Sequence, residues 1–389
     1  MFSHSAPATV DAVVVGAGLV GACCGYELAV RGRSVLIVDR GAVAAGGTGA
    51  GLGGVAVDHR PGPLLDLARY SRQRWGGLAD RLAADLGHQP DLRLSTEGAI
   101  SVARGAEAAK HLKTLAAEQR AAGLAAEPLS DADLAAVAPA LADDVSLAVR
   151  YPDHARVAPV AATLAVLSAA VERGAVVVPT ATVAAIEPAG TGLRVDTAAG
   201  PVSTDTLVLA AGAWSAPLAE LASVRLPVRP GQGHLLVTEA LPQPLDQTVY
   251  EVGPDQAARL VLAPTGTGAL AIGAPGTGGG FEAAVPVAAL RRLAADAVRL
   301  LPALREVAAL RGAGALFAQT PDQLPIIGAD PQQPGLWYAT GHGSAGVGLA
   351  PATGALLADL ITGAAPSVNP APYAPDRPGL AGPEPEADR

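Results

Sequence analysis

The sequence predicts an α/β fold, a parallel sheet wound by helices, interleaved with a second, mostly antiparallel α+β domain. Three observations predict it. Residues 11–39 read as strand, glycine turn, helix and second strand. Strand-to-turn patterns of the same kind return at 206–215 and 336–361. The chain between them breaks, beyond Pro227, into short strands punctuated by Gly and Pro.

The first unit sets the expectation of a ligand. Val13, Val14 and Val15 form a short apolar run, as a buried parallel strand requires. Gly16, Gly18 and Gly21 follow in G-x-G-x-x-G spacing, with Leu19 and Val20 between the last two. Gly16 permits the tight turn, Gly18 lets a pyrophosphate approach the main chain, and Gly21 lets the helix lie close to the sheet. Ala22 to Val30 reads as a helix stopped by Gly32, whose start offers bare N–H groups to phosphates. Ser34 to Val38 is the second strand. Asp39 at its end suits both ribose hydroxyls and disfavours a 2′-phosphate. Together these imply dinucleotide binding. The alternative is a Gly-rich turn that only packs helix on sheet.

Composition excludes several classes. The 389 residues carry a net charge of −9, which argues against nucleic acid and against an anionic membrane surface. Cys23 and Cys24 are adjacent inside the first helix and supply no disulfide framework or metal set. No apolar run approaches a membrane span and no signal peptide is evident, so a cytoplasmic protein is expected.

The remaining elements follow in order. Gly41 to Gly54 is a glycine loop suited to presenting main-chain amides to a flat or phosphorylated ligand. Helices are expected at Leu64 to Leu86, Ala106 to Ala121, Asp131 to Val137 and Pro159 to Arg173. Strands are expected at Leu92 to Val102, with Gly98 as a bulge, and at Gly174 to Val178. Val183 to Ile186 and Leu193 to Val195 read as a hairpin, and Thr206 runs into the turn at Gly212. His234 to Thr238, Gln247 to Glu251, Arg259 to Ala263 and Ala269 to Gly273 suggest an antiparallel sheet. Val285 to Leu300 is a helix and Val307 to Gln319 a strand. Leu336 to Thr340, the turn Gly341 to Gly348 and a helix from Ala350 to Ile361 close the pattern. The Pro-rich tail, 364–389, is expected to be poorly ordered.

With these segments in view, the chain resembles the FAD-dependent D-amino-acid oxidase family. That family includes glycine and sarcosine oxidases, D-amino-acid dehydrogenases and catalytic subunits of heteromeric opine and D-hydroxyproline dehydrogenases. Three motifs carry the resemblance: the unit through Asp39, the stretch Leu207 to Ser215, and Thr320 to Gly328 together with Gly341 to Gly354. It implies a Rossmann-like FAD-binding domain (GR2-type) from 1–88, 150–226 and 320–363, and a substrate domain from 89–149 and 227–319. It implies that Gly16, Gly18, Leu19, Val20 and Gly21 cradle the FAD pyrophosphate, with Asp39 and Arg40 at the adenosine. Thr48, Gly51, Leu52 and Gly53 run past the pyrophosphate and isoalloxazine. Val183 meets adenine, while Ala211, Gly212 and Trp214 lie near the ribityl chain. Gly341, His342, Gly343, Ser344, Ala345, Gly346, Val347 and Gly348 face the pyrimidine edge. The implied chemistry is hydride transfer from an amine-bearing carbon to flavin N5, giving an imine. Candidate catalytic side chains are His342, Tyr250 and Arg259; for His342 a hydrogen-bonded structural role is the alternative.

Three departures qualify the resemblance. Relatives commonly hold a substrate carboxylate with arginine, but Phe317 and Ser344 occupy two such places and Val261 stands where a tyrosine is usual. Either Arg259, Arg60 or Arg156 substitutes, or the substrate lacks a free carboxylate. Ala315 replaces the cysteine of covalent members, so FAD is expected to be non-covalent. The substrate is then a small-molecule amine or amino acid. Open alternatives are a catalytic subunit working with partner subunits, a homo-oligomer, a flavin-binding protein that has lost catalysis, and a nicotinamide dehydrogenase.

Overall fold

The computed structural model describes residues 2–241, 245–254, 258–276 and 280–380. The N-terminal half comprises β1 (Thr9–Val15), α1 (Leu19–Val30), β2 (Val35–Val38), β3 (Gly54–Val55), α2 (Pro63–Leu86), β4 (Ala99–Ala103), α3 (Ala106–Ala121), β5 (Glu127–Leu129), α4 (Asp131–Val137), β6 (Leu147–Tyr151), β7 (Ala155–Arg156), α5 (Pro159–Glu172) and β8 (Val176–Val178). The rest comprises β9 (Val183–Ala189), β10 (Gly192–Thr197), β11 (Gly200–Leu209), α6 (Ser215–Glu220), β12 (Arg229–Ala240), β13 (Thr248–Val252), β14 (Ala258–Pro264), β15 (Ala269–Pro275), α7 (Val287–Leu300), β16 (Ala309–Gln319), β17 (Ile326–Ala329), β18 (Leu336–Thr340) and α8 (Gly346–Thr362).

Two eight-stranded sheets organise these elements. The first runs β17-β18-β11-β1-β2-β8, with the β9–β10 hairpin attached to β11. Its inner strands are parallel: Val14 pairs with Ile37 on one side and Val208 on the other, and Leu209 pairs with Tyr338. These strands are covered on both faces, which is why they read as unbroken apolar runs. The carboxyl ends of β1, β11 and β18 run into glycine turns at one edge, where open α/β sheets bind ligands. The second sheet runs β16-β12-β15-β14-β13-β4-β6-β5 and is antiparallel except for the β13–β4 pair. A two-stranded ribbon, β3 with β7, lies apart from both sheets.

Helix α1 packs on α8 so closely that a Cβ at Gly354 would sit 2.6 Å from the Cys23 carbonyl carbon. Cys23 and Cys24 are buried free thiols in that contact. Glu27 of α1 is buried and bonded to Arg31, Arg74 and Arg81, which fixes α1 against α2. One helical stretch, Gly343–Thr362, is long and apolar enough to cross a membrane, but 67% of its apolar window is buried inside the protein, as for a core helix.

The structure corrects five expectations. Helix α1 begins at Leu19 and α8 at Gly346, each several residues earlier than propensity suggested, because tertiary packing overrides glycine's low helix preference. The strand expected from Leu92 starts only at Ala99. Gly98 is not a bulge but a turn at φ +84°, packed against the Tyr151 carbonyl. The tail is ordered through residue 380; its last part, 381–389, lies outside the described residues. Buried Tyr373 donates to the Pro63 carbonyl at 2.6 Å. Arg377 makes a bidentate pair with Asp322 at 2.7 and 2.9 Å, and also donates to the Pro325 and Leu324 carbonyls.

Candidate active site

The first part of the site is main chain. Gly16 turns at φ +119°, and a Cβ there would lie 2.4 Å from the Ala210 carbonyl oxygen. A Cβ at Gly21 would lie 1.9 Å from the Gly16 oxygen, so no larger residue fits. At Gly18 a Cβ would meet only the Thr48 hydroxyl, at 3.0 Å, so the glycine leaves the main chain bare on a face otherwise open. Thr48 Oγ1 accepts from the Leu19 N–H at 3.1 Å, which ties the glycine loop to the start of α1. The first turn of α1 holds no acidic side chain to neutralise its positive end.

Asp39 is fixed by that same main chain. One carboxylate oxygen accepts from Ala17 N–H at 2.7 Å and the other from Gly41 N–H at 2.8 Å. Each oxygen keeps acceptor capacity for a hydroxyl. Ala181 N–H donates to the Asp39 carbonyl at 2.7 Å and Thr180 N–H to Gly41, which brings the start of β9, at Val183, beside Asp39. The Arg40 guanidinium stacks 3.8 Å from the centre of the Trp214 ring. Ala211 and Gly212 begin a 3-10 turn after β11, and Thr340 Oγ1 donates to the Gly212 carbonyl.

The loop after β2 is wedged between both sheets and α8. A Cβ would approach Leu316 O to 2.5 Å at Gly47, Val347 to 3.3 Å at Gly51, and Val157 O to 2.0 Å at Gly53. From the other side, a Cβ at Gly348 would lie 3.0 Å from the Gly54 oxygen. Bare backbone from distant segments therefore packs together at this point. Helix α8 also has no acidic residue in its first turn, and Ser344 at its approach is exposed. Two positioning groups escaped the sequence reading. Ser71 Oγ donates to the Gly348 carbonyl at 2.6 Å and Trp75 Nε1 does so at 3.0 Å. Both lie on the buried face of α2 and hold the helix start just ahead of Pro351. Their spacing, i and i+4 on one face, was the available signal.

His342 is buried, and its Nε2 is 2.9 Å from Thr353 Oγ1. Burial pushes its pKa down to about 4, so the ring is neutral at physiological pH. That geometry favours the structural alternative: the ring anchors the turn onto α8.

Opposite the cradle stand β13, β14 and β15. Tyr250 pairs with Val261 and Val261 with Gly273. A Cβ at Gly273 would meet Leu52 at 2.6 Å, and one at Gly54 would meet the Tyr250 hydroxyl at 3.0 Å. Tyr250 thus reaches the glycine loop, and burial raises its pKa and keeps the phenol protonated. His154 packs its ring edge-on to Tyr250, with Nε2 3.1 Å from Asp58. Burial would raise the Asp58 pKa, but His154 and His59 pull it down to about 2.

The three candidate arginines separate. Arg259 is exposed and acts on Glu251, together with Arg104 and Arg299, not on the glycine loop. Arg60 is exposed and lies 3.9 Å from Glu118. Arg156 is half-buried and pairs directly with Gly54. Phe317 lays its ring over Gly231 and Gly233 of the neighbouring strand, which accounts for two glycines there.

Residues 11–360 match the family described as FAD dependent oxidoreductase, abbreviated DAO. The chain belongs to this family. It is similar to the glycine oxidase of Geobacillus kaustophilus, 30% identical over 90% of this chain and 92% of that one. The glycine oxidase of Pseudomonas putida is also 30% identical, over 94% and 98%. The hydrogen cyanide synthase subunit HcnC of Pseudomonas aeruginosa is 28% identical, over 91% and 92%. The solved Geobacillus glycine oxidase superimposes with a TM-score of 0.88, at 28% identity, over 95% of this chain and 99% of that one. This member of the family is a flavoprotein that uses FAD for amine or amino-acid oxidation. The glycine cradle, the carboxylate at the end of β2 and the two bare helix starts fit that cofactor.

Proposed function

We propose that the chain oxidises the Cα–N bond of a small amino acid to an imine, with substrate bound beside the Leu52–Gly54 loop where it meets the face formed by β13, β14 and β15. The observation that carries this reading is the approach of the Tyr250 hydroxyl to Gly54, across from the main-chain cradle. When bound, FAD supplies a hydride acceptor at flavin N5. The glycines of the β1–α1 turn and the starts of α1 and α8 face its negative groups. Asp39 takes the ribose hydroxyls. Leu52, packed on Gly273, keeps water from the reacting carbon. Tyr250 donates its phenol hydrogen to the substrate. An amine bound in its neutral form needs no strong base, in keeping with a neutral His342.

Similarity to glycine oxidases supports a small amino acid. Similarity to HcnC supports a second reading, a catalytic subunit that works with partner chains. Two buried free cysteines fit a cytoplasmic location. The test is anaerobic mixing of the yellow protein with glycine, sarcosine, small D- and L-amino acids and simple amines. Bleaching of the flavin by small amino acids is expected; no bleaching by any compound would overturn the reading. Gel filtration, with turnover on an artificial acceptor, separates a self-sufficient enzyme from a partner-dependent subunit.

A further inference from the structure

We propose that Arg156 is the group that binds the substrate carboxylate, a specificity-determining residue of the site; this rests on the amino-acid reading above. Its placement is the first argument. Arg156 stands directly opposite Gly54 in the β3–β7 ribbon and bridges Ser95 on its other side. Residues directly opposite in an antiparallel pair project to the same face. At Gly54 that face is where a Cβ would lie 3.0 Å from the Tyr250 hydroxyl. Arg156 and Tyr250 therefore address the same side of the glycine loop. The Arg156 stem lies along that loop, its Cγ 3.4 Å from where a Gly53 Cβ would be.

The second argument is charge. Among the described residues no side chain or carbonyl hydrogen-bonds or ion-pairs with the Arg156 guanidinium, and burial alone lowers its pKa. A half-buried cation without an anion is unfavourable, and a carboxylate on the ligand would complete the pair. The planar fork suits a carboxylate bidentately. Arg60 and Arg259 lack this placement.

The test uses the FAD-loaded protein titrated with acetate and with its neutral counterpart acetamide, followed by the shift in flavin absorption. Wild type is expected to bind acetate and discriminate against acetamide. Arg156→Met should weaken acetate binding about 30-fold, and Arg156→Lys, which keeps charge but not the fork, about 5-fold. Unchanged acetate binding in Arg156→Met, or no preference for acetate in wild type, would overturn the proposal. If Arg156→Met fails to hold FAD, phenylglyoxal modification of wild type decides: acetate should shield Arg156, and equal modification with and without acetate overturns the assignment. The two readings fail separately. Acetate binding lost in Arg156→Met, with no bleaching by any amine, supports the subsite and sinks the oxidation. Bleaching by simple amines without acetate binding does the reverse.

Discussion

The dinucleotide cradle is built from main chain, and the face across from it is built from side chains. In the cradle the deciding features are places where no Cβ fits: Gly16, Gly21, Gly47 and Gly53. Across from it the notable features are the Tyr250 phenol and the pair of buried His154 with Asp58. The contrast explains a difference in tolerance. A main-chain site depends on a spacing of glycines and cannot be retuned without breaking the fold. A side-chain site can be rewritten residue by residue while the cradle stays intact.

The largest expected effect would break the cradle at Asp39. Asp39→Ala removes the carboxylate proposed to take the ribose hydroxyls and strips both the Ala17 and Gly41 N–H groups of their partner. FAD affinity is expected to fall about 100-fold, since each lost bond to a charged acceptor costs about 1.5–3 kcal/mol. Flavin retained per chain after dialysis measures it; full retention would show that main chain alone suffices.

Tyr250→Phe sharpens the opposite half. FAD content should be unchanged while kcat/KM falls about 10-fold, the loss of one hydrogen bond to substrate. Release of FAD by this variant would show that the two halves are not separable.

A third effect, on stability rather than on binding or turnover, belongs to His342, which joins the turn to α8. Its folded pKa lies near 4, below the ordinary value. Between about pH 6.5 and 4 the unfolded chain binds a proton that the folded chain does not, so stability falls as pH drops through that window, by about 1.4 kcal/mol per unit. Asp58, held near 2, loses its contribution only at lower pH. His342→Asn should therefore lose about 2 kcal/mol less than wild type between pH 7 and pH 5. Thermal midpoints at the two values read it. Equal losses would mean that the imidazole titrates normally.

The same contrast governs what the sequence could reveal. The cradle was legible because its physics is local: three glycines, a strand on each side and an acid at the end of β2. Helices α3 and α4 were legible to the residue because their periodicity and stops are local too. Arg156 and Arg259 looked alike as letters. Only the pairing of β7 with the glycine loop separates them. The tail misled because Pro and charge resemble a solvated linker, whereas Tyr373 and Arg377 find their partners at Pro63 and Asp322, far away in the chain.

Strand order has a bearing on biosynthesis. β1 precedes its neighbour β11, which begins only at Gly200, and β18 and α8 come later still along the chain. Such long-range pairings are slow to form and leave apolar strands waiting. No finished nest exists until α8, whose Gly348 packs on the Gly54 oxygen, has joined the strands made before it. Capture of FAD by the full cradle therefore waits until β18 and α8 have joined β1 and β11.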